Sequence, residues 1–369
     1  MKDSWFSRIT GFDEDGGHAD VQSRLRVDGE FLVSTATDRR TRCGQLELVS
    51  LATLRARAAS GAGRDDTARA ASDGAPFGTP FGARDEPGPA LPNTVSILRG
   101  EARQLHRDPE HAGAVIQVAS QFNLLEMVGP DVTPEAGVAR YAHDRTQGPA
   151  CAMAAGAATI YRNYLVPVGD QIGQTASRQL DGLADVGEAL SQATGLPVSA
   201  LWSMRNGYAL CSSKGLDAIR DHLAGAAESA RDDLRARLRI GVHQDIEVTD
   251  VVGAAAPLVT HALCSALPIA YGDEPGHRGW EPLARLVLEA TYEATLLAGL
   301  LNRRRGVSPI VLLTCVGGGV FGNRNDWIDS AIRRALTLCA GGGLDIRLVS
   351  YGTVPGWLKR IASDGSRAG

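Results

Sequence analysis

A run of glycines between a predicted strand and a predicted helix is the strongest chemical signal in the sequence. The run comprises Gly317, Gly318, Gly319, Val320, Phe321, Gly322 and Asn323. Glycine lets a backbone approach a ligand closely, and exposed N–H groups ahead of a helix form an anion site. Asn325 is the expected helix cap, and Asp326 adds a favourable charge to the first turn. The segment therefore predicts a diphosphate site, with a tight strand–helix turn as the structural alternative.

The same glycines also fit a dinucleotide-binding fingerprint. Gly317, Gly319 and Gly322 satisfy G-x-G-x-x-G, which belongs to the first βαβ unit of a Rossmann domain, with most of that domain following it. Here the chain ends at residue 369, so only one helix and one strand can follow. The fingerprint requires an acidic residue at the end of the next strand, but the last predicted strand, 345–350, has its acidic residue at the beginning. These two departures disfavour a dehydrogenase.

A loop rich in carboxylates follows an earlier predicted strand, at 114–119. Gln121 and Asn123 come directly after this strand, and the loop then carries Glu126, Asp131, Glu135 and Asp144. Cleavage of an N-glycosidic bond needs a carboxylate to stabilise an oxocarbenium-like centre and an acid or base to handle water. Glu135 fits a helix cap better. Glu126 and Asp144 fit a catalytic role and a solvated loop acid equally well.

The elements that must position these residues alternate along the chain. Strands are predicted at 114–119, 310–314 and 345–350, with a strand or hairpin at 239–249, and helices are predicted at 150–161, 217–235, 280–301 and 326–340. Such alternation indicates an α/β fold with helices on both faces of a sheet. Residues 1–58 are predicted to form an N-terminal elaboration packed on an α/β domain at 94–369. Residues 59–93 lack periodicity and are predicted to be a flexible linker or lid.

Composition narrows the class of protein. The formal net charge is −4, without the basic excess of a nucleic-acid-binding protein. The N-terminus has no signal-peptide pattern, and the longest apolar runs are too short to cross a membrane. The six cysteines form no CxxC pair and no zinc spacing. A cytoplasmic protein with reduced cysteines is expected, with no metal, cofactor, nucleic-acid partner or membrane contact.

Three segments together carry a family resemblance. Residues 121–123 (Gln-Phe-Asn), 146–152 (Thr-Gln-Gly-Pro-Ala-Cys-Ala) and 317–323 resemble the arginine-specific macrodomain family of ADP-ribosyl hydrolases, the MavL-like proteins. The Gly-Val-Phe-Gly portion is also similar to the diphosphate loop of macrodomains more widely. The resemblance extends over most of the chain outside 59–93. It implies a three-layer α/β/α macrodomain with a mixed sheet.

The resemblance also implies an activity and a site. The protein would bind ADP-ribose and remove mono-ADP-ribose from modified protein, on arginine, with Glu126, Asp131 and Asp144 as catalytic acids at the distal ribose. The implied ligand contacts are Gln121, Asn123, Gln147, Gly148, Tyr351 and the loop residues 317–323. The paired glutamates of poly(ADP-ribose) glycohydrolases are not seen, which disfavours chain shortening. Two alternatives stay open: a non-catalytic ADP-ribose reader, and a hydrolase of a small NAD-derived nucleotide.

Overall fold

The computed structural model describes residues 4–60, 91–251 and 256–365. The strands are β1 (Leu25–Asp28), β2 (Phe31–Ser34), β3 (Arg40–Arg42), β4 (Gln45–Ser50), β5 (Thr94–Arg99), β6 (Val115–Ala119), β7 (Pro167–Val168), β8 (Gln171–Ile172), β9 (Trp202–Arg205), β10 (Tyr208–Cys211), β11 (Arg239–Glu247), β12 (Leu258–Cys264), β13 (Ile310–Leu313) and β14 (Asp345–Ser350). The helices are α1 (Trp5–Thr10), α2 (His18–Ser23), α3 (Leu51–Ser60), α4 (Ala102–Arg107), α5 (Gln147–Ala154), α6 (Gly156–Tyr164), α7 (Ala184–Thr194), α8 (Val198–Leu201), α9 (Ser213–Gly225), α10 (Glu228–Arg237), α11 (Trp280–Arg304), α12 (Asn325–Leu338) and α13 (Gly356–Gly365).

The main sheet has seven strands in the order β4-β11-β12-β6-β13-β14-β5. The β4, β11 and β12 strands pair antiparallel, whereas β12, β6, β13, β14 and β5 run parallel to their neighbours. Alternate residues of a strand face opposite sides, and β13 shows this directly. Val311 and Leu313 pack in the core that contains α11 and α12, while Leu312 packs with Leu105 of α4 and Ala158 of α6. The predicted three-layer α/β/α arrangement with a mixed sheet is confirmed.

The N-terminal residues contact this sheet and its helices, and the predicted domain boundary at residue 58 stays a prediction. The β4 strand forms the sheet edge by pairing with β11, and α3 packs on α11. Only the part before β4 forms a separate apolar cluster, in which Trp5, Phe6 and Leu32 pack against Ile160 and Tyr164 of α6. Most of the predicted linker at 59–93 lies outside the described residues. Its ends are ordered, because α3 runs to Ser60 and β5 starts at Thr94.

Two predicted helices are interrupted. The segment 150–161 belongs to α5 and α6, which are separated at Ala155, where φ is −115° and ψ is 56°. The segment 217–235 spans α9 and α10. The segment 239–249 is a single strand, β11, with a register shift between His243 and Ile246. The β5 and β12 strands and the β9–β10 hairpin were not predicted.

The six cysteines are free thiols, and all but Cys315 are buried. Within residues 4–60, 91–251 and 256–365, no helix combines the length and the apolar character that a membrane span requires.

Candidate functional site

A cavity of about 890 Å³ opens at the carboxyl ends of β6, β13 and β14. Ala119, Thr314 and Ser350, which end or follow these strands, line it together with the first turns of α4 and α5. Open α/β sheets bind ligands at this end of the strands, because the loops diverge there. A volume of this size lies within the usual range for small-molecule sites.

The glycine-rich loop forms one wall of the cavity. Gly317 has φ +78°, and a Cβ there would lie 2.4 Å from that of Ala266, so only glycine fits. The loop is closed by two internal hydrogen bonds, from Asn323 N to the Gly317 carbonyl at 2.9 Å and from Gly322 N to the Gly319 carbonyl at 3.1 Å. In the described part of the chain, no acceptor meets the backbone N–H groups of Gly317, Gly319, Val320 and Phe321. These four residues line the cavity, and N–H groups without an acceptor are what an anion-binding loop requires.

The other predicted loop contacts shape the loop instead of lining the cavity. A Cβ on Gly318 would lie 2.9 Å from Ile328 of α12. Asn323 donates from Nδ2 to the Leu267 carbonyl at 2.8 Å, which ties the loop to the segment after β12. Gly322 and Asn323, like Gly318, are absent from the cavity wall. Their described contacts support the loop, and their contact with a ligand stays a prediction.

The expected cap of α12 is also corrected. The helix begins at Asn325, so Asn325 is its first residue and Arg324 is the cap residue, without a side-chain cap bond. Asp326 does lie in the first turn, as predicted.

The start of α5 forms the facing wall. Gln147 accepts from Ala119 N at 2.8 Å and donates to the Gln117 carbonyl at 2.9 Å, so its amide is engaged with β6. A Cβ on Gly148 would lie 2.0 Å from the Ala119 carbonyl oxygen, so glycine permits this close approach. Both residues line the cavity.

Of the three predicted catalytic acids, Asp144 is the one that lines the cavity with an accessible side chain. It is half-buried, and its Oδ1 accepts from Thr146 N at 2.8 Å and from Thr146 Oγ1 at 2.7 Å. Among the described residues, it has no cationic partner and its Oδ2 accepts no hydrogen bond. A carboxylate in this setting is available to a ligand or to water.

Glu126 lies in the cavity wall but is held in a buried ion pair. Arg162 Nη2 donates to Oε1 at 2.9 Å and to Oε2 at 3.2 Å, and neither side chain has any exposed surface. Burial raises the pKa of the Glu126 carboxyl to about 7, although Arg162 opposes the shift. Arg162 Nε also donates to the carbonyl of Leu124, which has φ +65°. Glu126 and Arg162 therefore anchor the loop after β6.

Two predicted site residues lie outside the cavity. Asp131 pairs with Arg205, and its side chain is 77% exposed. Asn123 is fully buried and bonded to Gln179 and Leu125. Neither residue is in the lining of the cavity. The roles of Asp131 as a catalytic acid and of Asn123 as a ligand contact stay predictions.

Gln121 and Tyr351 do line the cavity. Gln121 Oε1 accepts from Met127 N at 2.8 Å, which closes the same loop. Tyr351 is 83% exposed at the cavity mouth.

The sequence interpretation missed an aromatic cluster, formed by Tyr208, Tyr271 and Phe321. Ring centroids are 5.1 Å apart for the two tyrosines, 5.3 Å for Tyr208 and Phe321, and 5.7 Å for Tyr271 and Phe321. All three residues line the cavity. Of these three residues, only Phe321 belongs to a motif that the sequence analysis recognised. The two tyrosines come from β10 and from a short turn after β12, where no motif indicated them.

An apolar region completes the cavity, formed by Leu105, Ile116, Leu312 and Val349. His106 lies beside it, with Nε2 at 2.7 Å from His261 Nε2. Burial lowers the pKa of His106 to about 4, so the pair is neutral near pH 7. The described residues contain no group of three or more side chains arranged as metal ligands.

Comparisons with known proteins find similarity in structure only. No protein-family model and no curated protein matches the chain. A poly(ADP-ribose) glycohydrolase from Thermomonospora curvata aligns at 11% identity and a TM-score of 0.41, over 93% of this chain and 94% of that chain. The same enzyme bound to the inhibitor ADP-HPD aligns at 11% identity and 0.37, over 93% and 94%. A mutant of it aligns at 11% and 0.37, over 86% and 83%.

The resemblance to the MavL-like proteins, carried by residues 121–123, 146–152 and 317–323, stays a prediction.

Proposed function

We propose that the protein is a macrodomain-type ADP-ribosyl hydrolase that releases ADP-ribose from modified arginine side chains of proteins. The observation that carries the proposal is the presence, in one cavity, of an amide nest for phosphate and an accessible carboxylate without a counter-ion. The nest is formed by Gly317, Gly319, Val320 and Phe321, and the carboxylate is that of Asp144.

Each part of the proposed ligand corresponds to one part of the cavity wall. The diphosphate accepts hydrogen bonds from the loop amides. The adenosine fits the apolar region around Leu105, Leu312 and Val349, and the distal ribose lies near Asp144 and the start of α5. No basic side chain is required at the diphosphate, because the backbone N–H groups supply the positive potential.

In the proposed reaction, water attacks C1″ of the distal ribose as the C1″–N bond breaks. Asp144 stabilises the oxocarbenium-like transition state and accepts the proton of the attacking water. The leaving guanidine nitrogen takes up the proton that Asp144 accepted, which regenerates the carboxylate, so that one water yields ADP-ribose and unmodified arginine. Glu126 acts indirectly, by keeping the loop after β6 in place through Arg162.

Asp144 is also what favours an enzyme over a reader. Phosphate groups carry negative charge, and an unpaired carboxylate near them weakens binding. A protein that only recognises ADP-ribose gains nothing from it, whereas a hydrolase uses it. A small NAD-derived nucleotide is the remaining alternative as substrate.

A panel of substrates tests the proposal. The wild-type protein is incubated with proteins ADP-ribosylated on arginine, serine or glutamate, with poly(ADP-ribose), and with ADP-ribosylated small molecules, and released ADP-ribose is measured. Release from the arginine-modified protein is expected. Binding of ADP-ribose without release from any substrate would assign the protein to the readers, and absence of binding would overturn the macrodomain assignment.

A further inference from the structure

The β6 and β13 strands separate beside the cavity. Their parallel pairing ends where Leu312 lies opposite Ile116. The β12 strand, by contrast, stays paired with β6 as far as Ala119. If the ladder continued for one more step, the Thr314 N–H would donate to the Gln117 carbonyl, and the Ala119 N–H would donate to the Thr314 carbonyl. Because the strands separate, these backbone groups need other partners.

The side-chain amide of Gln147 takes the place of Thr314 on the β6 side. Its Oε1 accepts from Ala119 N at 2.8 Å, and its Nε2 donates to the Gln117 carbonyl at 2.9 Å. These are the bonds that one residue of a parallel strand would make. Nε2 also donates to Cys151 Sγ at 3.0 Å. Both N–H groups of the amide are therefore occupied within the protein.

The hydroxyl of Tyr292, on α11, has the equivalent role on the β13 side. It donates to the Thr314 carbonyl at 2.8 Å and accepts from Val316 N at 3.1 Å. In a continued ladder, these two groups would bond to Ala119. Thr314 N donates to Gln117 Oε1 at 3.1 Å. Side chains thus satisfy the backbone groups that the separation of the strands releases, so the separation is part of the fold.

The separated strands carry the two parts of the proposed site. Asp144 lies in the turn that leads into α5, and α5 begins at Gln147, which is bonded to β6. The loop with the free amides follows Thr314 and begins at Gly317. All four residues line the cavity. The distance between β6 and β13 at this point therefore sets the distance between the carboxylate and the amide loop.

We propose that Gln147 and Tyr292 are positioning residues, which hold the two walls of the cavity at the separation that an ADP-ribosyl group requires. The inference rests on the proposed function. Gln147 fixes the wall that carries Asp144, and Tyr292 fixes the wall that carries the amide loop. Tyr292 is fully buried, so it acts on the ligand only through the loop.

Two nucleotides distinguish the two walls. In the proposed binding mode, ADP contacts the amide loop and the apolar region, whereas ADP-ribose also reaches the wall with Asp144. Gln147→Met removes both bonds to β6 at a similar side-chain length. It should weaken the binding of ADP-ribose about tenfold and that of ADP by less than about threefold. Tyr292→Phe removes only the hydroxyl and should weaken the binding of both nucleotides by similar factors, about tenfold.

Calorimetry measures these dissociation constants. Gln104→Met is the matched control, because Gln104 is exposed on α4 and is not in the cavity lining. It should bind both nucleotides as wild type does. Equal losses for ADP and ADP-ribose in Gln147→Met, or no loss in that variant, would overturn the positioning role.

Gln147→Glu supplies a reversible test. An ionised carboxylate accepts from Ala119 N but cannot donate to the Gln117 carbonyl, whereas a protonated carboxyl makes both bonds. Partial burial and the facing carbonyl raise the pKa of this carboxyl above its ordinary value of about 4.3. Relative to wild type at the same pH, Gln147→Glu should bind ADP-ribose about tenfold more weakly at about pH 8 and within about threefold at about pH 5.

Gln147→Met separates this recovery from a simple effect of charge. Its loss of affinity relative to wild type should be the same at both pH values, because it restores neither bond. If the negative charge of Gln147→Glu were the whole cause, Gln147→Met would bind ADP-ribose like wild type. That result, or a loss in Gln147→Glu that does not change with pH, would overturn the inference.

If the wild type binds neither nucleotide, the proposed function fails while the bridge between α5 and β6 is still tested. The melting temperature of Gln147→Glu should then approach that of wild type as the pH falls to about 5, since protonation restores both bonds. The melting temperature of Gln147→Met should stay below that of wild type. Equal differences from wild type for the two variants at both pH values would overturn the bridge.

Discussion

Replacement of Arg162 by methionine tests the anchoring of the cavity loop. Arg162→Met leaves the Glu126 carboxylate buried without its partner, and it removes the donor to the Leu124 carbonyl. Breaking a buried ion pair from one side destabilises a protein by about 3–5 kcal/mol. A carbonyl left without a donor adds about 1–3 kcal/mol. We expect the free energy of unfolding to fall by about 4–6 kcal/mol, since Glu126 can relieve part of its cost by taking up a proton.

The double variant divides this loss into its parts. Arg162→Met with Glu126→Met removes both charges, and a buried pair replaced by apolar residues is often neutral. The Leu124 carbonyl then lacks its Arg162 donor, as do Thr159 Oγ1 and His243 Nδ1, so a loss of about 1–3 kcal/mol is expected. Denaturant unfolding followed by tryptophan fluorescence measures each difference. Arg205→Met is the matched control, because its pair with Asp131 is exposed and should contribute less than about 1 kcal/mol.

Activity of the double variant decides the role of Glu126. If Glu126 only anchors the loop, the double variant should bind ADP-ribose and retain measurable hydrolysis. If Arg162→Met alone is no less stable than Arg205→Met, the buried ion pair between Arg162 and Glu126 is refuted. A stable double variant that binds normally but is about 10²-fold slower would instead make Glu126 a catalytic acid.

Two further predictions concern the loop and the buried histidines. Gly319→Val should keep the fold, because its Cβ meets no atom within 4 Å in the protein. It should weaken ADP-ribose binding about tenfold or more, because the side chain would lie beside the free amides. Gly318→Val should lower the melting temperature, because its Cβ would lie 2.9 Å from Ile328. Calorimetry and thermal unfolding distinguish the two, and equal effects on both readouts would contradict the assignment. The lowered pKa of His106, about 4, means that its contribution to stability is present above pH 6.5 and is lost as the pH falls toward 4. The free energy of unfolding should drop by up to about 3 kcal/mol over this interval from His106 alone, and His106→Leu should flatten the profile; an unchanged slope would count against a neutral buried His106.

The sequence predicted those parts of the site that are continuous in the chain. The glycine loop is self-contained, so its position between β13 and α12 and its free amides followed from residues 310–326 alone. The strands at 310–314 and 345–350 were recognisable because both are short and mostly apolar, as buried parallel strands are. Local composition carries that information.

The features of the site that the sequence did not predict depend on contacts between residues that are distant in the chain. The orientation of Glu126 depends on Arg162, which is 36 residues away on α6. Asp131 is not in the cavity lining and pairs with Arg205, which is 74 residues away in the sequence. Tyr208 of β10 and Tyr271 of the turn after β12 come from segments that are far apart in the sequence, and their rings lie 5.1 Å apart. No local periodicity in the sequence predicts this contact.

Hydrolysis by the Asp144→Asn variant tests the central claim most directly. The substitution keeps the size of the side chain and its acceptor for Thr146, and it removes the charge. We expect Asp144→Asn to bind free ADP-ribose as tightly as wild type or more tightly. Release of ADP-ribose from an arginine-modified protein should fall about 10²-fold or more. Undiminished release by Asp144→Asn, with wild type active, would contradict the account.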